Sequence, residues 1–338
     1  MTTMLPILDV TEAEDVPRVL DTRATGQDKV FRAVIRTAGI LVLTIMSLIG
    51  VFLAIRASDA ISAAGGAFVT TEAWNPDAGD FGIAAVLAGT FCIAIVAVLV
   101  AFPLATGTAL YLSEYAPRRL RSTLLSLVDL MAAVPSVVYG LWGLFFFQNQ
   151  ATGIARWVST WFGWVPFLDV PGVDPSDPLT GPTPYTSSLF IAGVVVGLMV
   201  TPIATSVMRE VFSQAPVGER EGALALGATK LGMIRSVVLP FGKGGMIGGM
   251  MLGLGRALGE TIVVYMILSQ VFVINLNVLS SGGSSVSSLI ALRYGEATPF
   301  ATSALMAAGL VLFLVTLVVN FVASSFVARS RSGASSDA

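Results

Sequence analysis

EREGALALGATKLGMIRSVV, residues 219–238, runs directly into Leu239-Pro240 and then into a long apolar stretch. Leu224, Leu231 and Ile234 recur at helical spacing. Gly227 interrupts the pattern, and because a glycine inside a helix costs about 1 kcal/mol relative to alanine, it is expected to mark a turn between two short helices. Connections between membrane helices are ordinarily short and structureless, so a patterned one has two readings: a helix lying on the membrane surface, or a docking element for a partner.

On either side the chain is apolar. Runs of about 20 apolar residues cross the hydrocarbon as helices, and six can be read, at about 33–55, 81–112, 124–147, 187–207, 241–268 and 301–327. The reading is all-α: a polytopic membrane protein with six spans. Pro103 inside the second run predicts a kink or a short extra helix there. Residues 1–32 are polar and acidic and read as a tail, not a signal peptide; residues 329–338 are Ser-rich and read as a disordered tail. Trp157, Trp161 and Trp164 open the loop 148–186 and suit a short interfacial helix, followed by an irregular Pro/Gly/Asp-rich cap.

Composition agrees. Of 338 residues, 55% are hydrophobic and 12% charged, about half the usual charged share, with mean hydropathy +0.83. A soluble enzyme of this size could not wet its surface, and a net charge of -2 leaves no basic surplus for nucleic acid. There is no histidine and one cysteine, Cys92, so His-dependent catalysis, zinc sites and disulfide frameworks are excluded and no cofactor is expected. Lys and Arg are strongly one-sided: fifteen of nineteen fall in the two tails, at Arg36 and in the segments 113–123 and 208–243, against Arg56, Arg156 and Arg293 opposite. By the positive-inside rule both termini and the segment 219–240 are expected in the cytoplasm.

The quoted stretch carries a pattern: Glu221, Ala223, three residues, Gly227, nine residues, then Val237, Leu239 and Pro240. It resembles the EAA loop of importer-type ABC permeases, with Gly222 and Val237 standing where Ala and Ile are commoner. GTALYLSEYAP (107–117), DLMAAVPSVVYGLWGLF (129–145) and GLGRALGET (253–261) narrow the likeness to the phosphate-specific permeases of PstC type, over residues 85–325. The VPSVVYGLWGLF run and the long N-terminal tail separate it from PstA relatives. The resemblance implies the type I ABC importer permease fold in a prokaryotic plasma membrane. It also implies a PstA-like second permease, a pair of PstB-like ATPases, with the segment 219–240 docking into a groove on an ATPase subunit, and a PstS-like phosphate-binding protein.

The fifth run stands out without any family. Arg256 and Glu260 lie in apolar surroundings, where a charge costs about 2.5–3.5 kcal/mol or more. On one continuous helix from Phe241, Arg256 lies about 22 Å along it, and the two charges, at i and i+4, share a face. Gly245, Gly249 and Gly253 fall on that face too. Either this is a glycine face for tight helix packing with a self-neutralising ion pair, or it meets the second permease at a translocation path. In the second reading Arg256 compensates a passing oxyanion through its planar donor fork and Glu260 holds it. Electrostatics alone would serve sulfate or molybdate equally; phosphate comes from the resemblance.

Asp129 reads as a solvated helix-end acid, and Pro135-Ser136 and Thr201-Pro202 as kinks re-satisfied locally. FGKGG at 241–245 lacks the residues of a phosphate loop, so ATP dependence must come from a partner. An ion-driven secondary transporter usually needs more helices and internal repeats. For an intramembrane enzyme there is no histidine, and an aspartyl dyad would need Asp129 and Glu260, which are expected at opposite depths.

Overall fold

A computed structural model describes residues 26–177 and 179–331. Most of both expected tails, residues 1–25 and 332–338, lies outside the described residues. Among the described residues, five helices are long and apolar enough to cross a membrane, and one pair bent by 87° makes a sixth when it is read as one span. This is a multi-pass membrane protein.

Helix α1 (Gly26–Arg56) is apolar over most of its length. Its residues up to Ile49 form one unit, and from Gly50 onward the chain forms a second. In that unit, α2 (Ser58–Ala64) and a two-stranded antiparallel hairpin, β1 (Trp74–Asn75) with β2 (Asp80–Phe81), lead into α3 (Ala84–Leu110). No extra helix forms at Pro103, which is accommodated inside α3. The irregularity comes at Tyr111–Tyr115, a wide turn in which Ala116 N–H donates to Tyr111 O at 2.8 Å.

The third span is not one helix. α4 (Arg118–Ala133) ends at Val134, and α5 (Ser136–Trp142) sets off at 87° to it. Pro135 is the cause: it removes an N–H donor and holds Val134 extended, at ψ 128°. A wide turn at Gly143–Phe147 joins α5 to α6 (Gln148–Phe162). The expected interfacial helix with Trp157 and Trp161 is therefore the end of this span, with Trp164 just beyond it. The chain after α6 is irregular, and Arg156 pins its later part. Arg156 donates to the carbonyls of Pro175, Asp177 and Thr180 at 2.8, 2.6 and 3.3 Å.

α7 (Leu189–Ser213) is the most buried span. It packs on α3 through small residues on both sides. Ala97, Ala101, Ala105 and Ala109, four apart on α3, are fully buried. A Cβ on Gly193 or Gly197 of α7 would approach Val96 Cβ to 2.6 Å or Ala97 O to 2.9 Å. Without water to drive association, such close backbone approach is what holds membrane helices together. At Pro202 the Thr201 hydroxyl donates to Gly197 O at 2.7 Å, so that hydroxyl is spent within the helix.

After α7 come α8 (Val217–Ala225), α9 (Lys230–Met233), a wide turn at Ile234–Val238, and α10 (Leu239–Leu258). The fifth span departs from expectation at both ends. It begins earlier, because the helix runs without a break from Lys230 through Pro240; the wide turn, with Leu239 N–H on Ile234 O, makes room for the proline ring. It also ends earlier, at Leu258, and a separate α11 (Ile262–Ile267) succeeds it. A non-helical stretch then leads to α12 (Val286–Arg293), whose start Ser285 and Ser288 close as a capping box, and α13 (Pro299–Arg331) completes the bundle. One end of this unit gathers the hairpin, α12 and the acidic loops; the other gathers α8 and α9 with the close of α3.

Candidate functional site

α10 packs against α7, α13 and α3, and two of its faces matter here. Gly245, Gly249 and Gly253 face α7: a Cβ on Gly245 would meet Val211 at 2.4 Å, one on Gly249 would meet Ala204 O at 3.1 Å, and one on Gly253 would meet Val200 at 3.6 Å. The glycine stripe is therefore covered within this chain and is not the surface that a second permease would meet. The other face opens on a groove of about 550 Å³ between α10 and α13. Met251, Leu252, Gly255, Arg256 and Gly259 line one wall, and Gly309, Leu312, Phe313, Thr316 and Asn320 the other.

Arg256 occupies the last turn of α10, where the helix dipole favours a cation by about 0.3–1 kcal/mol. It is exposed in the groove. Among the described residues no hydrogen bond or ion pair engages its guanidinium. The expected pair with Glu260 does not form. Gly259 ends the helix, so Glu260 leaves the i, i+4 register and turns inward, where it is 8% exposed. Its Oε1 accepts from Val263 N–H at 3.3 Å, capping α11, and its backbone carbonyl accepts from Ser287 Oγ of α12 at 2.7 Å. The carboxylate holds the break in the fifth span; it does not neutralise the guanidinium. An open groove, mostly apolar with a few polar groups, is the usual form of a small-ligand site. Here its one charge is a fork of free donors.

At the opposite end of α10 the segment 219–240 is two short helices around Gly227. Gly227 has φ +86°, its N–H donates to Leu224 O, and Ala228 N–H donates to Ala223 O at 3.1 Å. That is a Schellman closure, which needs a left-handed residue at this point. Thr229 Oγ1 then accepts from Gly232 N–H to cap α9. Glu221 and Pro240 are exposed, Val237 is half-buried, and Ala223 and Leu239 are half-buried against the core. Around them Val217, Leu224, Leu226 and Leu231 point outward, Leu226 92% exposed. An exposed apolar cluster of this kind suits either the membrane surface or a partner.

The model of the family described as "Binding-protein-dependent transport system inner membrane component" matches residues 101–332. The chain belongs to this family, in its PstC-type branch. The phosphate transport system permease protein PstC 2 of Mycobacterium tuberculosis is 37% identical over 310 residues, 90% of this chain and 93% of the relative. The PstC of Mycobacterium leprae is 40% identical over 278 residues, 81% of this chain and 84% of the relative. That of Pasteurella multocida is 35% identical over 300 residues, covering 88% and 91%. Two solved structures of a bacterial alginate ABC transporter share the fold at 16% and 15% identity, with TM-scores of 0.57 and 0.54. They cover 88% and 89% of this chain, and the chain covers 93% and 99% of theirs. The architecture is that of a type I ABC importer permease.

Several residues of this PstC-type permease went unread in its sequence. Thr316 and Asn320 face Arg256 across the groove; the signal was there, since Asn320 is the sole carboxamide of the sixth apolar run. Arg156 was read only as a minority cation, and its three carbonyl partners lie 19 to 24 residues away, beyond any local pattern. Asp129 is exposed on α4 and accepts from Ser206 Oγ of α7 at 3.5 Å.

Proposed function

We propose that this chain is one of the two permease subunits of an ATP-driven importer of inorganic phosphate. Its relationship to PstC permeases over nine-tenths of its length carries the reading. In the assembly it pairs with a PstA-like permease above a pair of PstB-like ATPases, docks one of them through 219–240 and receives phosphate from a PstS-like binding protein. Both termini and the segment 219–240 face the cytoplasm, as the distribution of Lys and Arg supports. The division into a tail at 1–32, a six-span domain at 33–328 and a tail at 329–338 belongs to the same proposal. The chain hydrolyses nothing; ATP is spent on the partner ATPases.

In the mechanism the geometry supports, the exposed apolar cluster around Gly227, with Glu221 at its edge, seats in the ATPase. Closure of the ATPases on ATP moves α8 and α9, and because the helix is continuous from Lys230 to Leu258 the displacement reaches Arg256 along one rod. Arg256 is the charge an oxyanion meets in the groove. With Glu260 occupied at the break in the fifth span, the guanidinium keeps its donors for the ligand. The groove stays open on the side away from α7, so a second permease completes the path there.

The test is uptake of labelled phosphate at low external concentration in cells lacking this chain, complemented with it, with arsenate and sulfate as competitors. Uptake restored and blocked by arsenate but not sulfate is expected. Competition by sulfate would move the substrate to another oxyanion. Phosphate carried by this chain alone in liposomes down an ion gradient would refute the ATP-driven reading.

A further inference from the structure

Two contacts fasten the docking segment to one turn of α3, and neither lies on the exposed cluster that meets a partner. Arg220 of α8 forms an ion pair with Glu114, Nη1 to Oε1 at 3.2 Å. Lys230 of α9 places its Nζ 4.5 Å from the ring centre of Tyr115. Glu114 and Tyr115 are neighbours in the wide turn that closes α3. Arg220 also donates through Nη2 to the backbone carbonyl of Phe212, at the end of α7.

We propose that Glu114 and Arg220, seconded by Tyr115 and Lys230, are positioning residues that transmit movement of the docked segment into α3. The inference rests on the docking reading above. Three observations carry it. The tethers lie on either side of the Gly227 turn, so the segment is held at two points and cannot pivot about one. The pair also makes a poor stability device. Its side chains are 5% and 19% exposed, and among the described residues Arg220 Nε is buried with no hydrogen-bond partner. A buried charge pair without a closed hydrogen-bond network repays its desolvation badly, and apolar side chains would hold the bundle as well or better. Finally, α3 is a suitable rod. It runs about 40 Å from Leu110 back to Ala84, slides on a ladder of alanines, and at its far end holds Gly89 against the backbone of Ser284, too close for any Cβ. Ser284 lies in the loop before α12, three residues from the hydroxyl that holds Glu260. A push at Glu114 therefore arrives at the opposite end of the bundle, beside the break in the fifth span.

The experiment uses the assembled transporter in proteoliposomes with the loaded binding protein outside, and reads ATPase subunits recovered per permease and phosphate imported per ATP hydrolysed. For E114Q, ATPase recovery stays at the wild-type ratio while phosphate per ATP falls about tenfold, a loss within the usual range for allosteric coupling. An unchanged phosphate-to-ATP ratio overturns the proposal. Should E114Q fail to assemble, E114C/R220C in a C92A background decides. That variant is uncoupled when reduced and recovers most of its coupling when a short reversible thiol cross-linker joins the two positions; cross-linking without recovery overturns the proposal. Failure of the docking reading has a different signature: E221A/G227V would keep full ATPase recovery.

Discussion

Gly222 and Gly227 sit five residues apart in the docking segment, and replacing each with alanine is expected to act in opposite directions. A Cβ at either position has nothing within 4 Å, so packing does not enter. Gly222 is an exposed residue inside α8, where alanine is favoured over glycine by about 1 kcal/mol. Gly227 has φ +86°, where an alanine side chain costs about 1–2 kcal/mol. The amides of residues 226, 227 and 228 donate to the carbonyls of Gly222, Leu224 and Ala223, so they open only when this turn opens. About 1 kcal/mol corresponds to a roughly fivefold change in the opening constant. Hydrogen exchange at these amides should slow about fivefold in G222A, and in G227A quicken between about fivefold and thirtyfold. G227N should fall between wild type and G227A, because asparagine tolerates the left-handed region better. The measurement is made on the chain in nanodiscs, by mass spectrometry of the peptide spanning the turn. Exchange unaltered in G227A, or accelerated in G222A, would refute the claim that a left-handed glycine holds the docking surface in shape.

Arg256→Leu should insert and assemble normally, since it removes a membrane-embedded charge, yet lower phosphate uptake about 10- to 100-fold, as loss of a charge-assisted contact to the anion requires; unchanged uptake would return Arg256 to a packing role. Gly245→Ala forces a Cβ to within 2.4 Å of Val211, whereas Gly248→Ala meets nothing within 4 Å. The first should therefore destabilise the detergent-solubilised chain by about 1–3 kcal/mol in a thermal melt while the second, which gains helix propensity without a clash, melts at or above wild type, and equal melts would count against the α7–α10 contact. Glu260→Ala removes the acceptor for Val263 N–H and should cost about 1 kcal/mol, whereas Glu260→Gln keeps a carbonyl oxygen there and should melt close to wild type. If Gln were as damaging as Ala, the charge rather than the cap would be what matters.

What could be read from the sequence divides along a physical line. The six apolar runs reflect the length needed to cross hydrocarbon, and the turn at Gly227 reflects the cost of a glycine inside a helix; both are local quantities. The fifth span was misread at both ends because its periodicity was extended past residues that interrupt it. Gly259, beside a buried carboxylate, stops the helix, and that carboxylate caps α11 in place of pairing with Arg256. A charge pair at i, i+4 predicts an ion pair only while the helix between them persists, and nothing local announces that Ser287, 27 residues on, will hold the chain out of register. The strut was illegible for the same reason: Glu114 and Arg220 lie more than a hundred residues apart, and each alone reads as a solvated charge at the end of a span.

The two charged features that the sequence hides or misplaces are also the two that make mechanical sense together. Arg256 is left without an ion pair because Glu260 is committed to the break, and the break is anchored through Ser287 to the start of α12. The loop before that start rests on α3 at Gly89. α3 is in turn fastened at Glu114 to the docking segment, and that segment continues through α9 into α10, which carries Arg256. The two routes from the docking surface, along α10 and along α3, therefore converge on the same few residues at the end of the fifth span. A displacement delivered equally through both would carry Arg256 and the break together and leave the groove unchanged. A difference between the two rods would move the guanidinium relative to Glu260 and to the wall formed by α13, which is the kind of change that alternating access at an anion path requires. The strut sets that difference, so weakening it should uncouple hydrolysis from movement of phosphate without loosening the hold on the ATPase.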